Sequence, residues 1–288
     1  MVGWLRRHGG LIPYLFLLPG GLWLIVFFVL PMLTMASVAL QEGTLGTGFR
    51  FTFNVGIFPE VVGRYDEQFL RSLLYALLVT GLTLAIGYPM AYTIAFRGGR
   101  YKNVLLLLVI LPFFTSFIIR TISWKFILAD QGFLLGTLKD IGILDDGFRL
   151  LATPVAVISG ITYNYLPFVV LPLYVALEKI DPRLIEAATD LYASRVQAFL
   201  RVTLPLSISG VFAATLLSFI PAVGDYINAD LLGSRNETMI GNVIQTQYVQ
   251  NSNYPLASAL ALMLMTTLLV GMFLYARTFG TRRLQEYA

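Results

Sequence analysis

Long apolar runs separated by short polar stretches organise this chain. A helix needs about 20 mostly apolar residues to cross the hydrocarbon core of a bilayer. Six segments satisfy that length: about 11–40, 72–96, 103–127, 150–177, 202–224 and 255–276. The first carries no charged residue, whereas the third holds Arg120 and Lys125 late in its length. The intervening loops are short, and no internal repeat or low-complexity tract is evident. The pattern predicts an all-α integral membrane protein with six transmembrane helices in one domain spanning 1–288. One polar insert stands out, the loop 178–204 between the fourth and fifth apolar runs.

Composition strengthens the membrane assignment. Of 288 residues, 57% are hydrophobic and only 12% charged, with a mean hydropathy of +0.75. A soluble domain carries roughly 25% charged residues. The net charge of +4 does not point to nucleic acid, because the basic residues flank apolar runs instead of gathering on one polar surface. The absence of cysteine excludes disulfide and thiol chemistry, and a single histidine, His8, excludes a His-rich metal site. The basic start followed by an apolar stretch resembles a signal peptide. The stretch is about twice the usual length of such a core, so an uncleaved first span is expected. Ser37-Val38-Ala39 is a weak cleavage-like site.

Lys and Arg bias sets orientation when loops are short. Arg6, Arg7, Arg97, Arg100, Lys102, Lys179, Arg183, Arg195, Arg201, Arg277, Arg282 and Arg283 fall on one side. The opposite side holds the smaller set Arg50, Arg64, Arg71, Lys139, Arg149 and Arg235. The richer side is expected to be cytoplasmic, together with both termini and the 178–204 loop. Prolines recur inside the runs, among them Pro19, Pro31, Pro89, Pro112, Pro167 and Pro172. They read either as ordinary membrane-helix prolines or as bends around a pathway, since freed carbonyls are tolerated where neighbours or a wet cavity satisfy them.

The polar insert has its own helical grammar. Asp181-Pro182 is a helix start, with a capping carboxylate and proline at the first helical position. Leu184, Ala188 and Leu191 then fall on one face. Ser194 with Gln197 three residues later makes a capping-box pattern for a second helix. Val196, Phe199 and Leu200 give that helix an apolar side, and Pro205 marks entry into the fifth span. On these residues alone, the pair is either a docking element for a partner or an amphipathic segment resting on lipid.

Glu186-Ala187-Ala188, then Tyr192, then Val202-Thr203-Leu204-Pro205 resembles the EAA loop of ABC importer permeases. The family pattern is E-A-A, three residues, Gly, nine residues, Ile-x-Leu-Pro, and the spacing here matches throughout. Val202 replaces isoleucine conservatively. Tyr192 replaces glycine, and tyrosine resists the positive φ that glycine permits. Either Tyr192 nevertheless makes the turn, or the Ser194 cap supplies the break.

Further stretches are similar to permeases of spermidine/putrescine importers. They include Leu111-Pro112-Phe113 through Ile119-Arg120-Thr121, Glu178-Lys179-Ile180-Asp181, Pro221 to Tyr226 and Ile240 to Ile244. This similarity runs from about Leu70 onward.

The resemblance implies a type I ABC importer permease (MetI-like) fold in a prokaryotic inner membrane. It implies a second homologous permease, two ABC ATPase subunits and an extracytoplasmic substrate-binding protein as partners. It also implies an ATPase-coupling set of Glu186, Ala187, Ala188, Asp190, Tyr192, Leu204 and Pro205. The chain has no G-x-x-x-x-G-K-[ST] loop, so it is expected to be a transport subunit with no catalytic residue and no bound metal or cofactor. ATP and Mg would bind the separate ATPase.

Polyamine is the substrate the resemblance favours. Another small solute, such as an amino acid or metal chelate, is the alternative, and a stand-alone channel a more distant one. An intramembrane hydrolase would need paired aspartates, a Ser–His pair or H-E-x-x-H inside the spans, and none is present.

Candidate pathway residues follow from cation chemistry. Asp225 comes just after Pro221 and Gly224, where the fifth helix should break. Its carboxylate could attract ammonium groups, or it could simply cap the next segment. Tyr226 offers a cation–π face. Phe114 and Trp124 on the third span, with Tyr163 and Tyr165 on the fourth, are further aromatics that also suit interfacial anchoring. Arg120 is expected to reach the outer headgroups or pair with a loop carboxylate. The outer loop 41–71 could touch a binding protein or form a packed cap.

Overall fold

The computed structural model describes residues 12–280. Leu11 at the start of the expected first span, and Arg6, Arg7, His8, Arg282 and Arg283, lie outside them. The described chain is almost wholly helical. Among the described residues, four helices are long and apolar enough to cross a membrane, or up to six if each of two bent pairs counts as one span. Contacts divide the chain into two compact units, one of residues 12–64 with 246–265, the other of 65–245 with 266–280.

In the first unit, α1 (Ile12–Leu24) passes through a π-helical turn (Ile25–Val29) into α2 (Leu30–Ala39). Its apolar side chains stay exposed, Phe16 and Phe27 among them, as suits a surface bathed in lipid. An antiparallel hairpin follows, β1 (Gln41–Thr44) with β2 (Gly48–Phe51), in register Gln41 opposite Phe51. Glycine is required at Gly43, whose φ is +134° and where a Cβ would meet the Gly48 carbonyl oxygen. The loop 41–71 is thus not irregular. It contains this hairpin and the start of α3 (Ile57–Tyr92).

The second unit holds the rest of α3, which departs from helical geometry at Tyr65 (φ −126°, ψ 18°). An irregular segment of π and 3-10 turns (Thr93–Arg97, Gly99–Tyr101) leads into α4 (Lys102–Ile110). Residues 103–127 do not form one helix. α4 tightens into a 3-10 turn at Leu111–Phe114, the chain extends at Thr115 and Ser116, and α5 (Phe117–Leu128) and α6 (Phe133–Asp140) follow. The two arms meet at 96°. Pro112 cannot donate to the helical ladder, and Thr115 closes the turn on its carbonyl at 3.2 Å.

Next comes α7 (Pro154–Glu178), capped by the Thr153 hydroxyl. The polar insert forms α8 (Pro182–Asp190) and α9 (Arg195–Ala198), continued by a π turn (Phe199–Thr203) and α10 (Leu204–Leu206). The fifth apolar run bends by 68° around Ser207 before α11 (Ile208–Val223). α12 (Ile227–Leu232), α13 (Ile240–Gln245) and α14 (Tyr254–Tyr275) complete the chain. α13 closes the second unit, and α14 begins in the first unit and ends in the second.

α7 and α11 pack side by side at the centre of the second unit. Buried Val169, Val170, Leu173, Leu177 and Ala214 form one apolar cluster there with Ala91 and Ile94. Between helices in lipid, close van der Waals approach matters more than water exclusion, so small residues mark the contact. Gly210 is such a point. A Cβ on it would lie 2.5 Å from Ala176 Cβ and 2.9 Å from the Pro172 carbonyl. Gly210→Leu is therefore expected to cost about 1–3 kcal/mol through overpacking. Thermal unfolding in detergent should show a lower melting temperature, and an unchanged one would contradict this packing.

Candidate functional site

The helix pair between α7 and α11 is built by local signals. Asp181 Oδ1 accepts the Arg183 N–H at 3.0 Å, and Pro182 opens α8. α8 ends in a Schellman turn: the Tyr192 N–H reaches the Thr189 carbonyl at 3.0 Å and the Ala193 N–H reaches Ala188 at 3.1 Å. Tyr192 sits at φ +61°, the left-handed conformation that favours glycine. Ser194 then caps α9 through a full capping box, with Gln197 N–H to Ser194 Oγ at 3.3 Å and Ser194 N–H to Gln197 Oε1 at 2.9 Å. The two ways of breaking the helix coexist.

The loop is anchored below and bare above. Phe199 packs edge-on against Tyr88 at 5.4 Å and also meets Tyr92. The Tyr88 hydroxyl lies 2.7 Å from Ser207 Oγ. Leu204 and Pro205 are half-buried in this base, and so is Ala188. Glu186, Ala187, Asp190 and Tyr192 are exposed. Among the described residues its apolar side chains stay exposed, Leu184 49%, Leu191 82% and Tyr192 97%. The loop therefore presents two acids, a small alanine step and three large apolar side chains to whatever lies beyond the chain.

A second polar assembly is buried among α5, α7 and α12. Asp225 accepts the Asn228 N–H at 2.9 Å and its Nδ2 at 2.7 Å, while the Tyr165 hydroxyl donates to it at 3.4 Å. Asn228 Oδ1 in turn accepts Asn164 Nδ2 at 3.1 Å and the Thr121 hydroxyl at 3.2 Å. Asp225 is thus buried, and its carboxylate is engaged with the first turn of α12. Thr121, Asn164 and Asn228 escaped sequence reasoning. The signal was an asparagine inside an apolar run, where a polar side chain needs a partner.

The aromatic candidates divide. Trp124 stacks on Tyr163 with rings 5.3 Å apart and nearly parallel, and the Trp124 ring also reaches Gly160 on α7. Tyr165 joins the Asp225 assembly. Phe114 is 79% exposed at the break in the third span, apart from these, and Tyr226 is 42% exposed. The Arg120 guanidinium rests near the rings of Phe113 and Phe117, at 5.6 and 5.7 Å. A cavity of about 610 Å³ lies beside this region. Its lining includes Pro89, Pro112 and Pro167 from three successive apolar runs, with Ile94, Leu108 and Tyr163.

Bent apolar helices thus carry between two of them a helix pair that is anchored at its base and exposed on its other face. Residues 83–279 match the family described as binding-protein-dependent transport system inner membrane component, and the chain belongs to it. It is 38% identical over 256 residues to the spermidine/putrescine transport system permease protein PotB of Haemophilus influenzae, covering 88% of this chain and 90% of that one. It is 35% identical over 265 residues to PotB of Escherichia coli, covering 92% and 96%.

In fold it is similar to a bacterial ABC transporter involved in import of the acidic polysaccharide alginate. The TM-score is 0.71 at 23% identity, over 95% of this chain and 96% of that chain. The alginate transporter in complex with its alginate pentasaccharide-bound periplasmic protein gives 0.70 at 23% identity, over 97% and 96%. The fold is that of a type I ABC importer permease.

Tyr192 stands in a left-handed conformation while its side chain makes almost no contact within the chain. The left-handed region costs a residue with a Cβ roughly 1–2 kcal/mol. Tyr192→Gly should relieve part of that cost and slow hydrogen exchange at the Ala193 amide by roughly fivefold. Faster exchange would mean that the tyrosine side chain itself stabilises the turn.

Proposed function

We propose that this chain is a polyamine-conducting permease of an ATP-driven importer, and that residues 181–205 receive the stroke of a separate ATPase. The observation that carries the reading is the rigid base and bare top of that loop. Its base is fastened by Phe199, Tyr88 and Ser207, and its exposed face carries Glu186, Ala187, Asp190, Leu191 and Tyr192. In this reading Glu186 and Asp190 meet basic groups of the ATPase. Ala187 and Ala188 permit close approach, and Leu204 and Pro205 pass displacement to α11. The loop and both termini face the cytoplasm. The working assembly contains a second homologous permease, two ATPases that hold ATP and Mg, and an extracytoplasmic binding protein. This chain holds no metal or cofactor of its own.

Polyamine is favoured by the names of the 35–38% identical relatives and by the chemistry of the aromatic surfaces. Phe114, Tyr163 and Tyr226 present ring faces that ammonium groups can pass along through cation–π attraction. Trp124 backs Tyr163 by stacking. Asp225 and Tyr165 lie behind, holding one another and α12 in place. Conduction needs binding that is favourable enough to enter and weak enough to leave, and ring faces fit that better than free carboxylates. In this pathway the bent spans rock around the region of the third-span break.

Glu186→Lys is expected to abolish uptake of labelled spermidine by the complete transporter while membrane insertion stays normal. Wild-type uptake by that variant refutes the reading of the loop.

A further inference from the structure

Lys102 is the first residue of α4, and Glu178 is the last of α7. The Lys102 ammonium grips both carboxylate oxygens of Glu178 at 2.7 Å. The same ammonium lies 5.8 Å from the centre of the Tyr174 ring, one turn back along α7. Three residues after Glu178 comes Asp181, the cap of α8. The link between them is short and held. Ile180 is buried in the α7 cluster, and its N–H bonds to the Leu177 carbonyl at 3.1 Å. On the other side, α4 leads through Pro112 to Phe114 and the break in the third span. The segment before Lys102 is irregular, with a π turn, a 3-10 turn and Gly99 at φ +47°.

From this geometry we propose that the Lys102–Glu178 pair is a strap that carries displacement of the 181–205 loop into α4 and so to the broken third span. Both residues are positioning residues. The inference rests on the reading of that loop as the ATPase-facing element. The pair is part-exposed, with side chains 25% and 42% accessible, and such pairs add little to folding stability. Its loss should therefore register in transport far more than in thermal stability. The ammonium touches both carboxylate oxygens beside the Tyr174 ring, and this compact point charge holds the start of α4 to the end of α7.

The test uses the complete transporter reconstituted with its ATPase and binding protein, measuring uptake and ATP hydrolysis side by side. Lys102→Glu and Glu178→Lys are each expected to lower uptake roughly tenfold with hydrolysis retained, within the usual span of coupling effects. The double exchange K102E/E178K should recover most of the uptake, and Lys102→Arg should stay close to the unaltered protein. Lys102→Met introduces no reversed charge and serves where Lys102→Glu fails to insert, with the same uncoupling expected. Single variants that transport normally overturn the strap. So does a double exchange that restores assembly but not uptake, because the pair would then only staple the fold. If Glu186→Lys abolishes uptake while these variants do not reduce it, the strap alone is wrong. If Glu186→Lys transports normally, the reading of the loop fails first.

Discussion

The close contact between α7 and α11 at Gly210 is the constraint on which the rest depends. The polar loop is the connection between those two helices, so whatever sets their separation sets the spacing of the loop's two ends. Lipid offers little drive for helices to associate by excluding water, and packing must do that work. Gly210 lets the helices approach until Ala176 and the Pro172 carbonyl touch its backbone. Leu173 and Leu177 fill the seam beside it. With the ends clamped, α8 and α9 are tied to both helices, and in the proposed coupling role a force on the exposed face of α8 would reach the two at once.

The interior solves a second problem, that of polar groups where spans break. A bilayer supplies no water to free N–H and C=O groups, so irregular backbone survives only where protein partners satisfy it. Beyond α11 the chain turns at Gly224, and Asp225 immediately caps α12 while Asn228 links to Thr121 and Asn164. Nearby, Asn242 accepts the Met239 N–H and donates to the Tyr226 carbonyl. Ser72 accepts the Ile240 N–H at 2.8 Å, tying α3 to the same region. These bonds hold the turns that carry Tyr226, one of the exposed rings proposed to line the pathway.

Much of this was readable from the chain. The lengths of apolar runs locate the long helices, and α7 and α14 begin and end close to the expected limits. Asp181-Pro182 and Ser194 with Gln197 announce their caps because capping depends on side chains a few residues apart, which the sequence places directly. The E-A-A spacing points to the family independently of the fold. The break at Thr115–Ser116 was not legible. Phe113, Phe114 and Phe117 keep the run apolar on both sides of it, and hydrophobicity reports burial in lipid without reporting helical continuity. The wider assembly around Asp225 was equally hidden, since Tyr165, which donates to it, and Asn164 and Thr121, which donate to Asn228, lie far away in sequence. Tyr192 shows a different limit. The family glycine position predicts the turn, yet only the structure reveals that tyrosine makes the same turn in a left-handed conformation.

The account stands on the exposed top of α8 meeting a protein surface. A photo-crosslinking residue placed at Ala187 in the assembled transporter measures this most directly, because that side chain is exposed and small enough to replace without disturbing the turn. The account predicts an adduct with the ATPase subunit, whose yield changes when ATP is bound. Adducts with lipid alone, in a transporter that still imports its substrate, would contradict it.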